Sequence, residues 1–231
     1  MVETTVPEWM NSLIFILGSF VMALVSLGLI MTGRSYFKNH KVGVVLSGLV
    51  VSWFAIILVL ISNGTFHIEE DQTNPLLLIA ILSPIAGSYI IYRSSKTVQQ
   101  FIFSIPLHWL TIIHVARTGG ILFLYLMVLG ALPAVFAIPA GIGDFTAGIL
   151  AIPASYMLWK MKKHARKMAA VATIFGIGDL VVAISVGNIF PTGSSISNTL
   201  LVLIPSFLVP LFLITHMFTI IRLRKKLAIK L

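Results

Sequence analysis

The sequence predicts an all-α protein, a polytopic bundle of seven transmembrane helices with its N-terminus outside and its C-terminus in the cytoplasm. Composition predicts the membrane environment, the apolar runs predict the number of helices, and the basic residues predict the orientation. Hydrophobic residues make up 58% of the 231 residues and charged residues only 10%. A soluble domain carries about 25% charged residues because its surface faces water. This composition therefore excludes a soluble enzyme, a disordered chain and a nucleic-acid-binding protein.

Seven apolar runs approach the length of about 20 residues that a helix needs to cross the hydrocarbon of a bilayer. We number them spans 1 to 7, and they cover about 9–32, 42–63, 75–92, 106–130, 139–159, 168–187 and 199–221. Asn74-Pro75 supplies a cap and a first-turn proline for span 3, and Pro139 is predicted to open span 5. The connections are too short to fold alone, so 1–231 forms a single transmembrane helical domain.

The basic residues predict which side of the membrane each loop faces. Of the 16 basic residues, 15 fall between spans 1 and 2, 3 and 4, 5 and 6, or after span 7. They are Arg34, Lys38, Lys41, Arg93, Lys96, Lys160, Lys162, Lys163, Arg166, Lys167, Arg222, Arg224, Lys225, Lys226 and Lys230. Short loops rich in lysine and arginine stay cytoplasmic. The acidic residues Glu3, Glu8, Glu69, Glu70 and Asp71 then lie outside.

The net charge of +9 is explained by these cytoplasmic residues. We therefore predict no nucleic-acid partner, and we expect the tail from Arg222 to Lys230 to contact anionic lipid. Cysteine is absent, which excludes disulfides and cysteine-ligated metal sites, and no metal site is predicted. A prokaryotic plasma (inner) membrane is the expected location, and the oligomeric state is left open.

Three charged residues fall inside spans: Arg117 in span 4, Asp144 in span 5 and Asp179 in span 6. A charge near the centre of a bilayer costs at least about 2.5–3.5 kcal/mol, so such residues pair with each other, line water or serve a function. Arg117 and Asp179 are predicted near the midplane, and Asp144 about 8 Å below the outer surface. Short connections make spans 4, 5 and 6 neighbours. We therefore predict one cluster with Arg117 between the two carboxylates.

This cluster would carry a formal charge of one negative unit, because one arginine faces two aspartates. Two carboxylates in a low dielectric tend to share a proton. The cluster is thus a candidate site for a proton, a cation or a small anionic solute. His114 lies three residues before Arg117, on the same helix face, and is added to the candidate site. The alternative is a structural ion pair that only fixes the helices.

Two further histidines suggest a different chemistry. His108 and His216 are predicted near the cytoplasmic ends of spans 4 and 7, at similar depth on different helices, as a bis-histidine haem requires. Haem is therefore a second cofactor hypothesis. The plan of seven spans with an outer N-terminus is similar to that of microbial rhodopsins, which attach retinal to a lysine of the seventh helix. No span here contains lysine, so a retinal Schiff base is excluded.

A short motif occurs in two consecutive spans. Gly141-Ile142-Gly143-Asp144 recurs as Gly176-Ile177-Gly178-Asp179. Glycines leave no side chain to keep a neighbouring helix or ligand away, and each copy adds a carboxylate. Gly119-Gly120 and prolines such as Pro205 and Pro210 are further expected to weaken their helices.

The segment from His114 to Ala151 contains Arg117, Gly120, Leu132-Pro133, Phe136-Ala137, Pro139-Ala140-Gly141 and Gly143-Asp144. This pattern resembles a family of uncharacterised prokaryotic seven-span membrane proteins. The resemblance covers about a sixth of the chain and implies no activity.

These observations favour a small transporter or channel-like protein with an intramembrane Arg-Asp-Asp site that could couple to protons. The alternatives are a membrane cytochrome or other cofactor-binding protein and a structural accessory subunit. No nucleophile or metal signature supports an enzyme, so catalysis is the less favoured interpretation.

Overall fold

A computed structural model describes residues 6–68, 74–189 and 196–228, with the side chains of residues 189 and 225–228 left out. The predicted outer residues Glu3, Glu69, Glu70 and Asp71 and the tail side chains from Lys225 to Lys230 lie outside the described residues. The regular secondary structure of the described residues is all helical, with no β-strand. Its α-helices are α1 Glu8–Ser35, α2 His40–Ser62, α3 Pro75–Ser94, α4 Lys96–Ser104, α5 Leu107–Ile112, α6 Ile121–Val128, α7 Ala134–Trp159, α8 Ala165–Ile189 and α9 Val209–Ala228.

Seven helical segments within the described ranges are long and apolar enough to cross a membrane, in agreement with the prediction. Spans 1, 2, 3 and 5 are α1, α2, α3 and α7, and span 6 is most of α8. Span 4 runs from Leu107 to Val128 and span 7 from Leu200 to Arg224. Span 3 begins as predicted, because the Asn74 side chain accepts a hydrogen bond from the backbone N–H of Leu77 and Pro75 occupies the first turn.

The predicted start of span 5 was wrong. The helix begins at Ala134, directly after Pro133, and Pro139 lies inside it. Proline lacks an N–H and bends a helix, but a single lost hydrogen bond in a second turn is tolerated. The connection from span 4 is correspondingly short, and Gly130 turns it with a φ of 74°. The predicted boundaries left residues 131–138 between spans 4 and 5, and these residues are helical from Ala134 onwards.

The short helix α4 was not predicted. Ser95 caps it by accepting a hydrogen bond from the N–H of Val98, at 3.2 Å. Its Phe101 and Ile102 are buried, whereas Lys96 and Gln100 are exposed. The helix is amphipathic and has only nine residues, so a search for long apolar runs passes over it.

Span 7 lies at the centre of the bundle. In its most apolar 18-residue window 67% of the residues are buried, compared with 17–39% in the corresponding windows of the other spans. It packs against spans 1, 2, 3, 4 and 6, while span 5 packs against spans 4 and 6, and span 1 against span 2. Side chains on the inner face of spans 4, 5 and 6 therefore face span 7 or another of these three spans.

Two spans depart from regular α-helix. In span 4 a 3₁₀ segment, Ile113–Gly120, separates α5 from α6, and it ends at the glycine pair that was predicted to weaken the helix. In span 7 a π-helical turn, Ile204–Leu208, precedes α9 and contains Pro205. Such irregular segments are uncommon and occur frequently at functional sites.

Candidate functional site

The three predicted charges meet inside the bundle. Arg117 Nε donates to Asp144 Oδ1 at 2.7 Å, and Arg117 Nη2 forms an ion pair with Asp179 Oδ2. The arginine side chain has no exposed surface, while 15% of the Asp144 side chain and 7% of the Asp179 side chain are exposed. The predicted contact of Arg117 with both carboxylates is thus confirmed. Its role in binding a proton or a solute stays a prediction.

The third nitrogen of the guanidinium faces spans 6 and 7. Arg117 Nη1 donates to the backbone carbonyl of Gly176 at 3.0 Å and lies 3.4 Å from His216 Nε2. The ring of Phe212 lies 5.9 Å from the guanidinium carbon. One cation on span 4 therefore binds groups from spans 5, 6 and 7, which explains how an arginine side chain can be buried completely.

Glycines make room for the charged side chains. A Cβ atom at Gly143 would overlap Asp179 Oδ1, and one at Gly120 would overlap the Asp144 side chain. At Gly176 it would lie 2.5 Å from His216 Nε2 and 2.8 Å from Arg117 Nη1. The repeated motif was predicted to admit close approach, and at Gly143 and Gly176 it does. Gly178 is different, because a Cβ there would meet no atom within 4 Å.

The 3₁₀ segment brings Arg117 close to span 5. Its backbone passes so near this span that a Cβ at Gly148 would lie 2.6 Å from the Thr118 nitrogen and 3.2 Å from the Arg117 carbonyl carbon. The Thr118 hydroxyl donates back to the Val115 carbonyl at 2.8 Å. Small residues on span 5 thus permit backbone contact at the level of the arginine.

The position predicted for Asp144 along span 5 was wrong. Because span 5 begins at Ala134, the carboxylate lies ten residues into the helix, or about 15 Å at 1.5 Å per residue. Asp144 is therefore at mid-span, level with Arg117, and not about 8 Å from the start of the helix. The error came from taking Pro139 as the first residue of the helix.

Two histidines extend the cluster. The imidazole rings of His114 and His216 stack with centroids 3.6 Å apart and planes 8° from parallel, and each residue is 97% buried. His114 Nε2 lies 3.2 Å from the hydroxyl of Thr215, the residue that precedes His216. His114 was predicted to share a face with Arg117, and the structure places both in the same buried site.

The structure pairs His216 with His114 rather than with His108. The His108 ring contacts the neighbouring Trp109 ring and is partly exposed. A bis-histidine haem needs an imidazole on each face of a porphyrin, whereas the His216 ring has the His114 ring stacked against it. Haem ligation by His108 and His216 stays a prediction that this geometry does not favour. Among the described residues no group of three or more metal-ligating side chains is positioned to hold a metal ion.

Three participants were not assigned to this site from the sequence. The Gly176 carbonyl binds the guanidinium, but a backbone acceptor leaves no signal in a sequence. His216 was singled out for haem, and only the packing of span 7 at the bundle centre places it against Arg117. Thr215 was not singled out, since a threonine inside an apolar span usually bonds its own backbone, as its hydroxyl does here with the Phe212 carbonyl at 2.9 Å.

Comparisons with known proteins add a family. No curated protein and no solved structure matches the chain. A family model described as Domain of unknown function (DUF8737) matches residues 73–224. The matched region holds spans 3 to 7, including His114, Arg117, Asp144, Asp179 and His216, and it leaves out spans 1 and 2. It also encloses the segment 114–151 that carried the resemblance to an uncharacterised family. The chain belongs to the family of the Domain of unknown function (DUF8737).

Proposed function

We propose that this protein is a small transporter or channel-like protein of the plasma (inner) membrane, in which the Arg117–Asp144–Asp179 cluster binds a proton or a cation. The observation that carries the proposal is the burial of one guanidinium between two carboxylates at the mid-level of three spans. One positive and two negative charges leave an excess negative charge. In a low dielectric that excess is costly unless a proton or another cation neutralises it.

The exposure of the two carboxylates supports access to this charge. Arg117 has no exposed side-chain surface, whereas Asp144 and Asp179 keep a small exposed fraction. A proton or cation would thus reach the carboxylate oxygens that face away from the guanidinium. An anionic solute is less well supported, because carboxylates and a carbonyl already occupy the guanidinium and two aspartates repel an anion.

The irregular helices support movement around the site. Arg117 lies within the 3₁₀ segment of span 4, and His216 follows the π-helical turn of span 7 by eight residues. Broken or distorted helices beside a midplane site are common in transporters, where they change conformation and free backbone groups for ligands. Spans 4 and 7 are therefore the proposed moving elements.

The ends of the spans support the proposed orientation. The described cations at the predicted cytoplasmic end include Arg166, which donates to the carbonyls of Arg222 and Leu223 at 3.2 and 2.9 Å. Short basic loops remain in the cytoplasm. The tail beyond Arg224 continues this charge and is proposed to contact anionic lipid.

A structural role is the second candidate, and the complete burial of Arg117 favours it. A guanidinium bound by spans 5, 6 and 7 fixes the helices whether or not anything is transported. If this role were the only one, replacing all three charges together with Met and Asn would leave any cellular phenotype of the protein unchanged.

The proposal is tested by ion flux in proteoliposomes. Purified protein is reconstituted with a dye sensitive to protons, sodium or potassium inside the vesicles, and a gradient of the matching ion is imposed. We expect dye responses to at least one gradient with the wild type, loss of the response in Asp179→Asn, and retention in Glu8→Gln, whose carboxyl group is exposed and outside the cluster. Equal fluxes in wild-type, Asp179→Asn and empty vesicles would contradict a transport role.

A further inference from the structure

The stacked histidines contain two buried nitrogen atoms without a hydrogen-bond partner. These atoms are Nδ1 of His114 and Nδ1 of His216, and neither has a partner among the described residues. An unsatisfied buried polar atom costs about 1–3 kcal/mol. Two such atoms on adjacent rings therefore need hydrogen-bond partners other than the described protein groups.

The tautomer of His216 follows from its neighbour. Arginine can only donate hydrogen bonds, and Arg117 Nη1 lies 3.4 Å from His216 Nε2. Nε2 must therefore be the acceptor and carry no hydrogen. The hydrogen of the neutral ring then lies on Nδ1, which makes that atom a buried donor without an acceptor.

The tautomer of His114 follows from Thr215. The Thr215 hydroxyl lies 2.9 Å from the Phe212 carbonyl and 3.1 Å from the Leu211 carbonyl, so its single hydrogen is donated to its own helix. The hydroxyl oxygen then accepts from His114 Nε2, at 3.2 Å. The hydrogen of His114 lies on Nε2, and its Nδ1 is a buried acceptor without a donor.

The two rings cannot satisfy each other. They are stacked face to face, 3.6 Å apart and 8° from parallel, whereas a ring nitrogen donates and accepts in the plane of its ring. One unmatched donor and one unmatched acceptor thus lie on adjacent rings in the protein interior.

We infer that His114 and His216 form a second binding site for hydroxyl groups of neutral molecules, one hydroxyl accepting from His216 Nδ1 and another donating to His114 Nδ1. Water and an alcohol group of an apolar solute share this chemistry. A metal ion does not fit, because His216 Nδ1 presents a hydrogen instead of a lone pair and Arg117 repels a cation. The inference depends on the imidazole geometry and not on proton binding by the carboxylates.

Thr215 contacts the histidine pair through its hydroxyl, 3.2 Å from His114 Nε2. This residue also lines a cavity of about 1150 Å³ between spans 1, 2, 3, 4 and 7. The lining is mostly apolar and includes Leu17, Val50, Ile113 and Phe207, with Ser88, Thr118 and Thr215 among its few hydroxyl groups. An amphiphilic alcohol with its chain in this cavity would bring its hydroxyl towards the histidine pair.

The inference is tested by solid-state NMR on the full chain, labelled with ¹⁵N-histidine and reconstituted in lipid. The chain has six histidines, and His114→Gln and His216→Gln assign the two resonances. We expect His216 protonated at Nδ1, His114 protonated at Nε2, and magnetisation transfer from a hydroxyl proton to His216 Nδ1–H. Partly exposed His108 provides the matched control, with its resonances unchanged in the two variants.

Two additions distinguish the sources of the hydroxyl. Transfer from water in the absence of any additive supports the site with water as its occupant. A shift of the Nδ1 resonances with 1-octanol but not with octane supports a solute alcohol. Transfer from neither source, or His216 protonated at Nε2, would overturn the inference. Repeating the spectra in Asp179→Asn keeps this outcome separate from failure of the proposed ion site, because the tautomers do not depend on that carboxylate.

Discussion

Glycines permit close packing in two regions, the pair of spans 1 and 2 and the group of spans 4 to 6. The neighbours that the glycines admit differ between the two regions. In spans 1 and 2 a Cβ at Gly43 would overlap the Leu29 carbonyl oxygen and lie 3.2 Å from the Ile30 Cα. In spans 5 and 6 a Cβ at Gly143 or Gly176 would instead meet charged or titratable side chains. The first region uses glycine for backbone packing, and the second uses it to hold a charged cluster.

The family match separates the same two regions. It begins at residue 73, before span 3, and includes the whole cluster but not Gly33, Gly43 or the rest of spans 1 and 2. The proposed site therefore lies wholly within the part of the chain that the family model matches. Spans 1 and 2 then serve as a packing partner that covers span 7 and borders the cavity.

The largest effect is expected from Arg117→Met. The change leaves two carboxylates buried at mid-span without their cation, and removing one partner of a buried ion pair destabilises a protein by about 3–5 kcal/mol. The free energy of unfolding, measured in detergent or lipid, checks this loss. The triple change Arg117→Met, Asp144→Asn and Asp179→Asn should recover most of the stability. A triple variant as unstable as Arg117→Met would mean that packing of the guanidinium, and not charge balance, dominates.

The second effect compares equivalent positions of the two motif copies. Gly143→Ala forces Asp179 away from the guanidinium and should cost about 3 kcal/mol in the free energy of unfolding, at the upper end for overpacking. Gly178→Ala meets no atom within 4 Å and should be neutral or stabilise the helix by up to about 1 kcal/mol. Similar losses in both variants would show that the motif glycines serve the helix backbone and not the cluster.

The third effect tests whether the two regions are separable. Gly43→Ala places a methyl group against the Leu29 carbonyl and should cost about 2 kcal/mol, while ion binding by the cluster stays unchanged. Gly48→Ala, in the same helix with open space around it, is the control and should not destabilise. Loss of ion flux in Gly43→Ala at a temperature where the protein is folded would show that the two regions act as one functional unit.

The smallest effect is expected at the start of span 3. Asn74→Ala removes the helix cap and a hydrogen bond to the Phe66 carbonyl, 2.7 Å from the Asn74 amide nitrogen. Caps contribute about 0.5–2 kcal/mol, and Asn74 is buried, so we expect a loss of about 1.5 kcal/mol. Asn39→Ala removes an exposed cap and should cost less. Equal losses in thermal unfolding would show that the bond to Phe66 contributes nothing.

The sequence allowed the spans and the charged cluster to be predicted because both follow from solvation. A run of about 20 apolar residues has few alternatives to a membrane helix, and three charges left inside such runs have few partners other than each other. The rotation of each helix about its axis could not be predicted in this way. This rotation determines that His216 stacks on His114 and does not face His108. It depends on packing between residues that are distant in the sequence.

The misplaced start of span 5 shows a second limit. Pro139 and Pro133 are equally good helix starts in local sequence, and only contacts of the first turns decide between them. The 3₁₀ segment was indicated by Gly119-Gly120 but not located, because the same dipeptide is compatible with a kink or a regular helix. The predicted position of Asp144 along span 5 was wrong because the start of the span was misplaced.

The excess negative charge of the cluster is tested most directly by infrared difference spectroscopy of the reconstituted protein in sodium-free buffer, recorded across a titration. We expect the carbonyl stretch of a protonated carboxylic acid near neutral pH in the wild type and in Glu8→Gln. The band should be absent in the double variant Asp144→Asn and Asp179→Asn, and it should weaken in wild-type protein when a bound cation replaces the proton. Carboxylates that stay ionised throughout, with no change on adding sodium or potassium, would contradict a cluster that binds a proton or a cation.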